Sequence, residues 1–410
     1  MKPLAVNPMH QMENTAPTAV RQAAPALVLT LAVATGAIVG NLYYAQPLVA
    51  KIAPEIGIGP DLAGAIVSLT QVGYGLGLIL LVPLADLIEN KVLALATLVC
   101  AAASLLLAAV AQGVVAFLFA SLAIGIFSAG AQILVPFITH FVPPERRGRA
   151  VGLVMAGLIT GIMLARPAAL FVAAYLNWRA VFLVSAGLMI GIGAVLWRMM
   201  PRYQPSGTSH YGAVLASLPG LVRNTPILRR RALYQMLLFS AFNLFWTAAP
   251  LMLTERFGMS DYAIGLFALA GAGGALAAPL AGRLADHGHG RMATYGAMAS
   301  LALAFLATAL GEHILSLLVL IVATLVIDAA VQTNQIVSQR TIFSTAPAVR
   351  GRINALYMTT VFVGGALGSV LGTLTYHSGG WMFTAATGAA LGIAGLAAFA
   401  TERLEHRGPD

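Results

Sequence analysis

The sequence predicts an all-α membrane protein of twelve transmembrane helices, built as two six-helix repeats with both termini on the cytoplasmic side. Three observations carry this. The 410 residues are 59% hydrophobic and 9% charged, with a mean hydropathy of +0.86, whereas a soluble chain carries about 25% charge. Apolar runs of about 20 residues, the length a helix needs to cross a bilayer core, recur along the chain. The two halves match each other at a nearly constant offset.

The spans fall in two sets. The first lies near 26–50, 62–85, 91–112, 114–140, 150–174 and 179–198; the second near 232–254, 262–285, 292–311, 314–337, 352–376 and 380–401. The longest polar stretch, residues 199–231, separates a first bundle (26–198) from a second (232–401). Residues 1–25 and 402–410 are expected as cytoplasmic tails, the first disordered: it is polar, interrupted by proline, and has no short apolar region with a small-residue cleavage site, so it is not a signal peptide. Of the 23 Lys and Arg, nineteen fall in the tails and the connections on the side of the termini. Lys51, Arg179 and Arg256 fall on the other side, and Arg166 lies inside a span. The positive-inside rule sets the orientation. It also assigns the net charge of +9 to contact with anionic lipid, not nucleic acid. Cys100 is the one cysteine, which excludes an intrachain disulfide and a Cys-based metal site.

The repeat is read from several independent matches. PERRGRAVGL from Pro144 matches PAVRGRINAL from Pro347, Trp178 matches Trp381, and Gln132-Ile133 matches Gln335-Ile336, all 203 apart. NLYY at Asn41 matches NLFW at Asn243, 202 apart, and the aspartates ending LAD, Asp86 and Asp286, are 200 apart. Parallel repeats of this kind build transporter folds with two rocking halves.

Polar residues inside such spans mark function. Thirteen of the fourteen carboxylates lie in tails, connections or span ends; Asp328 alone sits within LLVLIVATLVIDAAVQTNQIV, about 18 Å from Arg340 along the helix. A carboxylate at membrane depth costs about 3 kcal/mol or more, which makes it a functional candidate. Gln332 and Gln335 follow at i+4 and i+7, on the same helix stripe. Arg166 is the one base at depth; a guanidinium keeps its proton and needs Asp328, an anionic part of a cargo, or amides and carbonyls as a partner. The estimated depths of Arg166 and Asp328 differ by roughly 7 Å. In GNLYYAQPL, at 100° per residue, Asn41 and Tyr44 share one face and Tyr43 and Gln46 nearly the opposite one. The second copy keeps Asn243 and Trp246 and turns the other face into Phe245 and Ala248. Asn41 and Tyr44 are therefore expected to face a central cavity, with Tyr43 and Gln46 left to packing or to the first half's own seam. The expected cavity holds Asn41, Tyr44, Gln71, Tyr74, Gln132, Asn243, Trp246, Gln332, Gln335 and Tyr357, with Asp328 and Arg166 as its proton-coupling charges. Amides and aromatics with one acid and one base suit a small amphipathic organic molecule.

With these motifs the chain resembles the major facilitator superfamily along its whole length. That family's connection between spans two and three follows Gly-x-x-x-Asp-Arg-x-Gly-Arg-Arg. VPLADLIENK keeps Asp86 and a terminal Lys91, and GRLADHGHGR keeps Gly282, Asp286 and Arg291. NLYYAQP, GIMLARP and YMTTVFVGGALGS are similar to a bacterial branch of arabinose-efflux-like and acriflavine-sensitivity permeases. The span-four arginine of the family's exporters is replaced here by Ser121, so its role is not carried over. The resemblance implies a cytoplasmic gate: Asp86 against the start of span eleven with Arg350 and Arg352, Asp286 against the start of span five with Arg147 and Arg149. A carboxylate there meets a positive helix end and a guanidinium. Glycine ridges in spans two, five, eight and eleven are expected where the halves meet or within each half.

The function expected is proton-coupled efflux, by antiport, of a small amphipathic molecule, from a monomer in a bacterial inner membrane, with protons and lipid as its other partners. A proton-coupled or facilitative importer of a small metabolite or sugar is the alternative, and a non-transporting membrane sensor a remote one. No enzyme motif and no phosphate-binding Gly-Lys-Ser/Thr is present, no cofactor is implied, and His287 and His289 lack the partners a metal site needs.

Overall fold

The computed structural model describes residues 25–205, 210–345 and 350–402. All of the regular structure among them is helical. The first half runs α1 (Pro25–Gly40), α2 (Val49–Ile56), α3 (Ala65–Leu80), α4 (Asn90–Val110), α5 (Val114–Ser128), α6 (Ala131–Phe137), α7 (Pro144–Tyr175) and α8 (Trp178–Met199). A connecting helix α9 (Tyr211–Asn224) follows, then α10 (Pro226–Phe257), α11 (Asp261–Ala272), α12 (Ala277–Asp286), α13 (Gly290–His313), α14 (Leu317–Thr345) and α15 (Arg350–Ala400).

Among the described residues nine helices are long and apolar enough to cross a membrane, against the twelve spans expected. The difference has local causes. The first expected span breaks between α1 and α2. The eighth breaks at a short 3-10 turn, Gly273–Leu276, between α11 and α12. The eleventh and twelfth are joined in α15, whose backbone turns at Gly379 and Gly380, the latter with φ 65°, a conformation only glycine adopts without penalty. The second half also begins earlier than expected, at Pro226. The Arg-rich segment is helical, and Arg231 within it is buried and pairs with Glu402 at 3.0 Å. Glu402 therefore closes the bundle and is not part of a solvated tail.

Helix entry follows ordinary chemistry. Asn177 caps α8 by accepting from the Ala180 amide at 2.9 Å, and Gly57 and Gly258 end α2 and α10 in the left-handed region. The glycine ridges of α7 and α15 prove to be contacts within each half. A Cβ on Gly161 would stand 2.1 Å from the Gly36 carbonyl oxygen of α1, and one on Gly368 would stand 2.0 Å from that of Ser240 in α10. Such ridges let backbones touch. The halves meet instead through α3 on α15, where Ser68 Oγ donates to the Ala366 carbonyl at 2.6 Å, and α11 on α7, where the Phe171 and Tyr262 rings pack at a tilt with centres 5.3 Å apart. The connecting helix α9 ties both halves at the opposite end: Tyr211 donates to the Leu80 carbonyl at 2.8 Å, and Ser217 accepts from Arg352 at 2.9 Å. We call this the linker end and the other the far end.

Candidate functional site

The helix of the first span stops inside GNLYYAQPL. Pro47 lacks an amide proton, and its ring would clash with the carbonyl four residues earlier, that of Tyr43. The chain accordingly tightens into i→i−3 bonds at Asn41, Leu42 and Tyr43 and passes through Tyr44 and Ala45 without helical form. This rotates the segment away from the faces a continuous helix would present. Asn41 turns into the first half, accepting from Ser185 at 2.6 Å and approaching the Met189 sulfur at 3.4 Å. Tyr44 packs back over Gly40. Tyr43 and Gln46 take the central places. The expectation for this stretch is thus inverted: Asn41 and Tyr44 do not border the cavity, and Tyr43 does.

Gln46 is the centre of a buried polar seam between the halves. Its amide donates to Asn243 Oδ1 at 3.1 Å and to Thr247 Oγ1 at 3.2 Å on α10, and Gln71 donates to the same Asn243 oxygen at 3.3 Å. Asn243 and Gln71 are fully buried; Asn243 is satisfied by these amides and by donating to the Phe239 carbonyl at 3.0 Å, whereas Gln71 Oε1 has no partner among the described residues. They close the cavity and do not line it, and Tyr357 is likewise wholly buried in α15. The far end is closed further by the Lys51–Asp261 ion pair between the halves.

Below the seam lies a cavity of about 170 Å³ bordered by α7, α10, α11, α14 and α15 together with Tyr43, Tyr74 and Gln132. Of the expected residues it brings together Tyr74, Gln132, Arg166, Trp246, Asp328, Gln332 and Gln335. From the level of Arg166 it runs toward the linker end along Met155, Gln335, Gln339 and Met358.

Arg166, 4% exposed, is held without a carboxylate. Its Cζ lies 4.9 Å from the Tyr43 ring centre, 4.9 Å from Phe242 and 4.7 Å from Trp246, a three-faced aromatic cage in which each contact is worth about 0.5–2 kcal/mol. Nε donates to Gln46 Oε1 at 3.0 Å, and Nη2 has no partner. Across the cavity Asp328 Oδ1 accepts from Trp246 Nε1 at 3.0 Å. Among the described residues the two charges form no ion pair with each other; Trp246 contacts both, ring to the cation and N–H to the anion. Space beside the carboxylate depends on Gly271: a Cβ there would lie 2.6 Å from Asp328 Oδ2 and 2.5 Å from the indole. Gln132 donates to the Tyr74 hydroxyl at 3.0 Å, and Tyr74 packs on Phe362 across the halves at 4.4 Å.

At the linker end the expected gate is not docked among the described residues. Asp86 is exposed and lies within electrostatic reach of Arg352 and His140, but Arg352 bonds to Ser217. Arg147 and Arg149 are exposed, and Arg147 donates to the Val142 carbonyl at 3.3 Å. The side chains of Asp286 and Arg350 lie outside the described residues. No group of three or more His, Cys, Asp or Glu able to hold a metal occurs among the described residues.

Two bundles closing on one another at one end, around a cavity with an acid on one half and a base on the other, are the plan of a membrane transporter. The sequence profile of the Major Facilitator Superfamily matches residues 31–369 and 233–409. The chain belongs to the Major Facilitator Superfamily. It is 38% identical over 373 residues to the protein named Uncharacterized transporter YgaY of Escherichia coli O157:H7, covering 91% of this chain and 94% of that one. It is 33% identical to the Probable transporter SCO4007 of Streptomyces coelicolor, covering 86% and 81%. The nucleoside transporter NupG shares the fold at a TM-score of 0.72 and 14% identity, covering 91% of this chain and all of that one. This superfamily member is a multi-pass membrane transporter.

Proposed function

We propose that this transporter exports a small amphipathic organic molecule in exchange for protons, by alternating access. It would act as a monomer in a bacterial inner membrane with its linker end in the cytoplasm. The observation that carries the reading is the placement of Asp328 and Arg166: one on each half, bordering one cavity, not paired with each other. A carboxylate of this kind can hold a proton or meet a cargo, and a carrier that must empty one before taking the other exchanges them. The arrangement described, closed at the far end by Gln46, Asn243, Thr247 and Lys51–Asp261, suits loading from the linker end. When the halves rock the other way, Asp86 and Asp286 would dock on the starts of α15 and α7, with Arg350, Arg352, Arg147 and Arg149, and close the linker end. The undocked Asp86, Arg147 and Arg149 fit the loading state.

A thermal-shift screen of small metabolites on the purified chain supplies a cargo, and proteoliposomes then test coupling. Asp328→Asn is expected to lose uphill flux under a proton gradient while retaining counterflow exchange of cargo. Uphill flux equal to that of the unaltered chain would place coupling elsewhere.

A further inference from the structure

Two groups of opposite charge face one cavity from opposite halves, and each has part of its bonding capacity unused. Arg166 spends Nε on Gln46 and its faces on three rings, leaving Nη2 unpartnered although the residue is 4% exposed. Asp328 spends Oδ1 on the Trp246 indole; Oδ2 accepts no hydrogen bond among the described residues. They form no ion pair with each other among the described residues; Trp246 is bonded to one and stacked on the other. Adding the width of the indole to these two contacts bounds their separation at roughly 10 Å, a gap that one small molecule can bridge.

We propose that the cargo is a small zwitterion whose acid group docks on Arg166 and whose protonated amine docks on Asp328. This rests on the proton-exchange reading above and names its substrate class. A purely cationic cargo would leave a buried guanidinium half-satisfied, and an uncompensated buried charge is costly; a purely anionic one would leave Asp328 protonated and displace no proton. A zwitterion answers both with charge-assisted hydrogen bonds. The rest of the cavity lining suits its middle: Leu158, Ile162, Val331 and Phe362 are apolar, and Gln132 and Gln332 offer amides. Besides Asp328, the ionisable groups bordering the cavity among the described residues are Arg166, Tyr43 and Tyr74, so Asp328 is the acid that takes part. To hold the amine, Asp328 must be ionised. A proton on its carboxyl and the amine of the cargo therefore exclude each other: loading cargo releases the proton to water at the open end, and protonation at the other end releases the cargo. Exchange follows from the charge pattern of the ligand.

The test uses the purified full-length chain in detergent with weak buffer and ω-amino acids from β-alanine to aminohexanoate. Each is set beside its N-acetyl derivative, an anion, and its amide, a cation. Thermal shift reads binding and a pH electrode reads proton release. At least one ω-amino acid is expected to bind about tenfold or more tightly than both of its counterparts, the contribution expected of one charge-assisted contact, and to release a proton. Arg166→Met and the milder Arg166→Lys, which keeps the charge but loses the planar fork, should weaken the zwitterion about tenfold and leave the amide no weaker, which also shows that the variants fold. Asp328→Asn should abolish proton release and the advantage over the N-acetyl compound. A counterpart binding as tightly as every zwitterion, or no binding across the series, overturns the assignment. Zwitterion-selective binding without proton release keeps the assignment and overturns proton exchange instead.

Discussion

Removing Arg166 and Asp328 singly and together measures how far the two charges depend on each other. Each single variant loses contacts of its own: Arg166→Met gives up three ring faces and the Gln46 bond, and Asp328→Asn alters the acceptor of the Trp246 indole. The single losses therefore say nothing about the pair, and only the interaction energy of a double-mutant cycle isolates it. Had the two been salt-bridged at membrane depth, breaking one partner would cost about 3–5 kcal/mol. They are not. At the upper bound of roughly 10 Å, two unit charges in an effective dielectric of about 20 attract by about 2 kcal/mol, so a coupling of at least that size is expected. The assay is thermal or denaturant melting of the full chain at fixed pH, detergent and lipid. The double variant should lie a few degrees above the sum of the two single losses. Losses that add to within about 0.5 kcal/mol would mean that the indole and cavity water screen the charges from each other, and the bridging geometry would lose its electrostatic basis.

Other elements give independent checks. Gly161→Val should prevent accumulation of folded protein, because its Cβ would lie 2.1 Å from a backbone oxygen of α1, whereas Gly187→Val, with open space around it, should fold normally; size-exclusion yield reads both. Asp261→Asn removes the far-end pair with Lys51, whose side chains are 22% and 45% exposed respectively, so stability should change by less than about 1 kcal/mol. Distances between spin labels across the far end should nevertheless lengthen, and an unchanged distribution would deny the pair a gating role. The hydrogen bond from Arg179 holds the Glu55 carboxyl below its usual range. The sign follows: its stabilisation is present above the ordinary carboxylate range and is lost as pH falls through the lowered value. Glu55→Gln should therefore flatten the acid limb of the melting profile; an identical acid limb would make the bond a bystander.

The apolar spans, the repeat and the polar residues of α14 were legible because each depends on composition or on one regular helix. Asp328, Gln332 and Gln335 share a stripe in an unbroken helix, so spacing alone placed them on the cavity. A helical wheel misplaces Gln46 and Tyr43 because Pro47 unwinds the stretch that holds them. The opposite error befalls Gln71, Asn243 and Tyr357: polar side chains at depth suggest cavity lining, yet Gln71 and Asn243 are amides that meet across an interface and need no cavity, and Tyr357 is wholly buried within α15.

A signal for the first error was present in the offsets. Most matches between the halves are 203 apart, and so are Pro47 and Pro250, but NLYY and NLFW align only at 202. One residue fewer separates asparagine from proline in the first copy. On a helix that slip turns the phase by 100°, so Asn41 and Asn243 cannot occupy equivalent places even though their neighbours look alike. Aligned at 203, the partner of Trp246 is Tyr43, and these two residues play the same part in the structure. Each lays a ring face against Arg166, at 4.7 and 4.9 Å. The repeat was therefore informative about the site, but through the register of the proline and not through the resemblance of the tetrapeptides. Symmetry then fails where the chemistry is. The counterpart of Arg166 at the same offset is Ser369, and that of Asp328 is Gly125. Each half thus contributes one charge that its repeat lacks, and two related bundles enclose a cavity with a positive wall and a negative one. A symmetric pair of like charges would repel across the cavity; opposite charges, placed once each, give a ligand a direction in which to lie.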